Sequence, residues 1–346
     1  MENLIVFGAY GFIGFNFLLE IHAKHKYNLF FVDDPSNYAC ANYRESYNNI
    51  NCNMVSEQEV LEAFKDRTLF HPHSNKTHIV NFIGASHNDR AILDMSVFEK
   101  TNITAMKNLS RVYLSLGNPG KLIHLSTDEV YGQTSTPDRK FSELQTPEPH
   151  NPYSETKYIG EHLLRQEIPD CIVLRPSNQY GKYQYPEKLI PHNIQRAIHN
   201  KNLIMYSEGN QFRTWTPVEY TTKVISNLLE SNKYKLYNIC YPDDSFIVSN
   251  RAILEHISNH FYGSLSNNIS RIHKIKDPRG DLHDYGYSLD ITNLQREDWF
   301  EGLPKYSFFD YLDKTIEYYK ASDRFKKIYN SKPLQDFFNL IYGEIP

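Results

Sequence analysis

The chain has 346 residues, with 37 Lys and Arg against 41 Asp and Glu and a formal net charge of −4. Its length allows one large α/β unit or two closely associated domains, and an apolar share of 40% is adequate for a core. No basic stripe suits a phosphate backbone, no apolar run reaches the ~18–20 residues of a membrane span, and the start MENLIVFG has no leader pattern, so nucleic acid, membrane and secretion are not expected.

Leu4–Phe7 reads as a buried strand, and Gly8 opens GAYGFIG, which runs into a helical pattern. A second strand, Asn28–Val32, ends in Asp33 and Asp34. Ser56 with Glu59 three residues on forms a capping box, so a helix follows. His78–Gly84 is the next strand, and one long helix spans Val97–Leu116 before Gly117 and Pro119. The strand KLIHLS leads to STDEVYG, where Asp128 and Glu129 stand side by side; on a strand end they would point to opposite faces. Asn151 caps a further helix with Pro152 in its first turn, and Cys171–Pro176 is another strand.

This alternation predicts an α/β fold with a Rossmann-type, doubly wound parallel sheet. From about Asn178 the rhythm breaks into Tyr-, Pro- and Gly-rich loops, which predicts a smaller C-terminal α/β domain. The expected division is 1–177 plus about 215–245 for the sheet, and 178–214 with 246–346 for the smaller part. The last stretch, from Asp323, can dock as a helix, with no role legible. Cys40, Cys52, Cys171 and Cys240 are scattered, which suits a reduced cytoplasmic protein. The pairs His22/His25 and His71/His73 lack a second ligand pair, so no metal is expected.

Gly8, Gly11 and Gly14 form G-x-x-G-x-x-G between strand and helix, with an acid at Asp33. Glycine triplets also occur in ordinary turns, but this context suits a pyrophosphate at a helix N-terminus. Asp33 would accept from the adenosine ribose hydroxyls and repel a 2′-phosphate, and the first Arg comes only at Arg44, so NAD is favoured over NADP. Tyr153 and Lys157 share one helix face at i, i+4. An ammonium beside a tyrosine hydroxyl lowers its pKa towards use as a base. Such a spacing also arises by chance; its position after the glycine loop and STDEVYG favours chemistry.

At this point GAYGFIG, ASHNDRAI, STDEVYG, NPYSETK, SNQYGKYQYPEKLIP, EGNQFRTW, YNI (Tyr237–Ile239) and DPRGDLHDYGYSLD together resemble the extended short-chain dehydrogenase/reductases, and within them the nucleotide-sugar 4,6-dehydratases of the dTDP-glucose type. The resemblance implies that Tyr153 takes the proton of the 4-hydroxyl, Lys157 tunes it, and Thr127 bonds near O4. It makes Glu129 the base at C5 and Asp128 the acid at O6. It implies NAD contacts at Gly8, Gly11, Phe12, Ile13, Gly14, Asp33, Asp34, Asn53, Gly84, Thr101, Tyr153 and Lys157. Nucleotide-sugar contacts fall at Ser86, Thr127, Asn178, Lys188, Arg213, Asn238 and Arg279. Epimerases of the superfamily generally carry serines at the Asp128–Glu129 position, and decarboxylases lose the aspartate, so the pair favours dehydration. Inversion at C5 alongside dehydration, and a non-catalytic relative, are the other readings. Ala85 and RGDLHD depart from the family pattern, which points towards a UDP-sugar, UDP-glucose or UDP-N-acetylglucosamine, rather than plain dTDP-glucose, and Asn53 departs from it at the adenine. The composition is similar to that of dehydratases of giant DNA viruses, which would place it in a host cytoplasm. Family members pair as homodimers, here through Val97–Leu116 and Pro152–Gln166.

Overall fold

The apolar run at the start of the chain becomes the centre of a sheet. The structure, a computed structural model, describes residues 1–45, 47–65, 75–263, 271–280 and 283–343. The first half runs β1 (Glu2–Phe7), α1 (Phe12–His22), β2 (Tyr27–Asp33), β3 (Asn49–Asn51), α2 (Glu57–Phe64), β4 (Thr77–Asn81), α3 (Asn88–Leu93), α4 (Met95–Glu99), α5 (Ala105–Ser115), β5 (Pro119–Leu125), α6 (Pro152–Glu167) and β6 (Ile172–Pro176). The second runs β7 (Asn178–Tyr180), α7 (Leu189–Ile198), β8 (Leu203–Tyr206), β9 (Phe212–Pro217), α8 (Val218–Glu230), β10 (Leu236–Ile239), β11 (Ile247–Ser249), α9 (Asn250–Tyr262), β12 (Ile272–Ile275), α10 (Thr292–Gln295), α11 (Phe308–Ala321), α12 (Asp323–Tyr329) and α13 (Lys332–Tyr342).

Seven strands form one sheet in the order β10-β6-β5-β4-β1-β2-β3, every pairing parallel. Successive residues of β1 feed opposite faces. Leu4 and Val6 join the core with α1 and α8, while Ile5 and Phe7 join the core with α5 and α6. Burial on both faces is why these strands read as unbroken apolar runs. The later chain adds two small sheets, β11-β9-β7 and β12-β8. Helix α13 does dock, seating Leu334, Phe337 and Phe338 beside Tyr329 and Tyr185.

Local details differ from the sequence expectations, each for a packing reason. The long helix is not regular: a π-turn, Lys100–Thr104, separates α4 from α5. It swings Asn102 inward, where its side chain accepts from the Ala85 N–H and donates to Thr156 Oγ1. The Ser56 box is half made: Ser56 accepts from the Glu59 N–H, but the Glu59 carboxylate takes the Asn53 N–H. Asp128 and Glu129 are not on a strand, because β5 ends at Leu125 and a 3₁₀ turn, Asp128–Tyr131, carries them. His71 and His73 lie outside the described residues.

A buried ion pair fixes α6 to the sheet. Arg175 on β6 forks onto Glu161 on α6 and lies over the Tyr131 ring at 4.6 Å, with both charged side chains almost wholly buried. Arg175→Met strands the Glu161 carboxylate in the interior, so a loss of about 3–5 kcal/mol is expected. The check is a lowered urea midpoint at unchanged slope, with Arg175→Met/Glu161→Met recovering most of the loss.

Candidate active site

The glycine turn leaves bare backbone at the N-terminus of α1. Gly8 has φ +70°, and a Cβ on Gly14 would sit 2.2 Å from the Gly8 carbonyl oxygen, so a side chain there would push the turn apart. Gly11 is the N-cap of α1, and Phe12 and Ile13 form its half-buried first turn. At the end of β2 the Asp33 carboxylate accepts from the Tyr10 N–H at 2.8 Å, the Asp34 N–H at 2.9 Å and the Cys40 thiol at 3.0 Å. Burial holds its carboxyl above the usual range, opposed by those three donors. Asp34 instead accepts from Ser36, and the Asn53 side chain accepts from the Val55 N–H, a turn ahead of α2. Gly84 lies against the Lys157 ammonium, at 3.2 Å from its own notional Cβ, and Thr101 sits in the π-turn. A helix N-terminus lined by glycine backbone, with an acid at the neighbouring strand end, fits a dinucleotide pyrophosphate and ribose.

Helix α6 brings Tyr153 and Lys157 to the ends of β4 and β5. Its start is secured by Asn151, whose Oδ1 accepts from the Ser154 N–H at 2.9 Å while Ser154 Oγ returns a bond to the Asn151 N–H. The Lys157 ammonium donates to the Leu125 carbonyl at 2.8 Å. Burial lowers its pKa to about 8, with Glu161 opposing. The Tyr153 phenol is pushed up by burial and by the Glu129 and Asp128 charges, while a bond with Thr127 opposes them. The groups that set the Tyr153 phenol here are Glu129, Asp128 and Thr127, and the Lys157 ammonium gives one of its three N–H donors to the strand-end carbonyl.

The adjacent carboxylates have unlike surroundings. Asp128 is wholly buried, has one long bond from Thr127 at 3.4 Å, and its other oxygen meets no donor among the described residues. Burial and then the Glu129 charge hold it well above the carboxylate range. Glu129 accepts from Asn88 Nδ2 at 3.3 Å and Asn151 Nδ2 at 3.2 Å. It too is raised, by burial and then by the Asp284 charge, but Arg213 and the two amides oppose this. Two acids with opposed environments can divide acid and base work.

Several predicted substrate residues are already engaged. Lys188 donates to the Ser86 carbonyl and hydroxyl, which brings those two together beside Glu129. Arg213 donates to the carbonyls of Phe212, Asp284 and Tyr285 and lies over the Tyr287 ring. Arg279 is ion-paired with Asp89, which also accepts from Tyr206. Asn178 lies half-buried on β7 next to β9. Asn238 is not brought to the site: it is fully buried and bonded to Tyr131, Glu143, Phe141 and Asp290. Asn88, Asn102 and Asp284 were missed. Asn88 and Asp284 lay within the stretches ASHNDRAI and RGDLHD, but nothing local marked them.

Residues 4–240 match the NAD dependent epimerase/dehydratase family. The chain is 34% identical over 250 residues to the low-salt glycan biosynthesis protein Agl12 of Haloferax volcanii, covering 71% of this chain and 76% of that one. It is 29% identical to the dTDP-glucose 4,6-dehydratase of Haemophilus influenzae, over 92% and 98% of the two chains. The crystal structure of the Streptomyces venezuelae dTDP-glucose 4,6-dehydratase DesIV, with NAD bound, superposes with a TM-score of 0.81 at 26% identity, covering 96% of this chain and all of that one. No helix among the described residues is long and apolar enough to cross a membrane. With a glycine cradle for NAD, a Tyr–Lys helix and paired acids at the strand ends, the chain belongs to the NAD dependent epimerase/dehydratase family of extended short-chain dehydrogenase/reductases and stands among its hydro-lyases, the nucleotide-sugar 4,6-dehydratases.

Proposed function

We propose that this protein converts an NDP-hexose to the NDP-4-keto-6-deoxyhexose, and that the residues above carry the reaction. The observation that supports this reading is the contrast between Asp128, buried almost without donors, and Glu129, held by two amides, on one turn beside Tyr153. Bound NAD supplies the oxidising and reducing equivalents at C4 and C6, and the glycine turn, Asp33 and Gly84 would hold it. Tyr153 accepts the 4-hydroxyl proton, with Thr127 bonding at that oxygen. Tyr153 does so as its phenolate, which the Lys157 ammonium on the next turn of the helix supports. The 4-keto group acidifies C5, where Glu129, kept as carboxylate by Asn88 and Asn151, removes the proton. Asp128, kept neutral by burial, gives its proton to the departing 6-hydroxyl, so water leaves and charge balances.

The substrate class includes dTDP-glucose, UDP-glucose and UDP-N-acetylglucosamine; the small Ala85 and the RGDLHD loop support a UDP-sugar. Residues 1–177 and about 215–245 would serve the cofactor, and 178–214 with 246–346 the sugar nucleotide, a division supported by the small sheets lying outside the parallel one. Exposed Leu93, Val97, Leu114 and Ile159 on α3 to α6 support homodimer pairing along those helices. Free Cys40, Cys52, Cys171 and Cys240 support a reduced, cytoplasmic setting. Incubation with each of the three sugars and proton NMR of the products tests the reading. A 6-deoxy methyl signal with a 4-keto group from one of them is expected, its C5 configuration read from the couplings. Interconversion of the C4 epimers, or no change in any of the three, would overturn it.

A further inference from the structure

Glu129 does not act beside Asp128 alone. A third carboxylate, Asp284, comes in from the far end of the chain and is almost completely buried at 1% exposure. One amide joins it to Glu129: Asn151 Nδ2 donates to Glu129 Oε2 at 3.2 Å and to Asp284 Oδ2 at 2.8 Å. The orientation of that amide is not free. Asn151 Oδ1 is committed to the Ser154 N–H as the cap of α6, so both Nδ2 hydrogens face the two carboxylates. Tyr287 donates to the same Asp284 oxygen, Arg213 grips the Asp284 carbonyl, and Asp284 Oδ1 is buried without a partner among the described residues. Such a cluster of acids is costly to bury.

We propose that Asp284 is a positioning residue for water loss: through the Asn151 amide it forms a buried carboxylate pair with Glu129 and holds that side chain as the base facing C5. The inference rests on the dehydratase reading above for its chemistry, but the pair itself does not. When Glu129 takes a proton, the pair passes from two negative charges to one, and repulsion between them is relieved. That relief makes Glu129 a stronger base than two amide donors alone would leave it. The same cap that starts the Tyr153–Lys157 helix thus also sets the elimination base. Other groups face Glu129 from every side: Asp128 on its own turn, Asn88 on α3, Tyr153 on α6, Lys188 ahead of α7, Arg213 on β9, and Tyr287 beside Asp284. Among all the charges around it, that of Asp284 raises Glu129 most after burial itself.

Two substitutions should move Glu129 in opposite directions. Asp284→Asn keeps the shape and the Tyr287 bond but removes the charge, so the Glu129 titration midpoint falls by about one pH unit. Asn151→Ser keeps a good helix cap but removes the shared donor, so the midpoint rises by about half a unit. Carbon NMR of side-chain-labelled glutamate in the full-length protein without sugar, assigned against Glu129→Gln, reads both shifts. In turnover, with the sugar nucleotide that the three-substrate panel selects, the acidic limb of kcat follows the midpoint: to lower pH in Asp284→Asn, to higher pH in Asn151→Ser. An unmoved midpoint, or shifts of one sign in both variants, overturns the pairing, and an unmoved midpoint in Asn151→Ser does so even where Asp284→Asn fails to fold. If none of the three sugars turns over, the dehydratase reading falls while the titration still decides the pair.

Discussion

Glu129→Gln is expected to stop water loss while oxidation at C4 continues. The substitution keeps the size of the side chain and removes the carboxylate that Asn88 and Asn151 donate to, the proposed base at C5. Loss of a positioned base at C5 lowers product formation by about 10²–10⁴-fold. Oxidation should survive for a second reason. The Glu129 charge is the largest influence after burial that holds the Tyr153 phenol up, so its removal makes Tyr153 easier to ionise. Near-ultraviolet absorbance of reduced nicotinamide should rise on sugar addition and persist, where the wild type returns to baseline. Near wild-type formation of the 4-keto-6-deoxy sugar by this variant would remove Glu129 from the role. The pH sign follows from the same environment. A carboxyl raised above its ordinary value must still lose its proton to act as base, so wild-type water loss should fail on the acid side earlier than for an exposed glutamate.

The parts of this site that were legible in the sequence are those set by neighbours in the chain. The turn Gly8–Gly14 needs backbone that only glycine provides, and its strand and helix flank it directly. The cap at Asn151 and the i, i+4 spacing of Tyr153 and Lys157 are likewise local. What stayed hidden depends on contacts between distant segments. The π-turn at Lys100–Thr104 exists where Asn102 joins Ala85 to Thr156, and a helical period cannot show that. Gly160 is open for the same reason, since a Cβ there would lie 2.1 Å from the Asn102 carbonyl oxygen. Asn238 matched a substrate position by motif, yet its four bonds tie β10 to the segments around Phe141 and Asp290. Asp284 stands 133 residues from the amide that links it to Glu129.

Lys157→Met is expected to disable the enzyme and stabilise the fold at once. Lys157 is 5% exposed, and its ammonium bonds the Leu125 carbonyl. Burial lowers its pKa from the ordinary 10.5 to about 8. The unfolded chain therefore binds the extra proton more tightly between those values, and stability rises with pH across that window. Below about 8 the full cost of burying the charge is present, so at neutral pH a methionine of similar length should gain stability. The gain is about 1–2 kcal/mol after the lost Leu125 bond is allowed for. Thermal unfolding should show a midpoint a few degrees higher, and the stability rise between pH 8 and 10.5 should vanish in the variant. Under the proposed roles, activity should fall by about 10²–10⁴-fold, because Tyr153 is left without a neighbouring cation for its phenolate. A destabilised Lys157→Met would mean that the lysine serves packing at the end of β5. A stabilised and inactive one identifies a charge that the fold retains against its own stability, as expected of a side chain selected for the reaction.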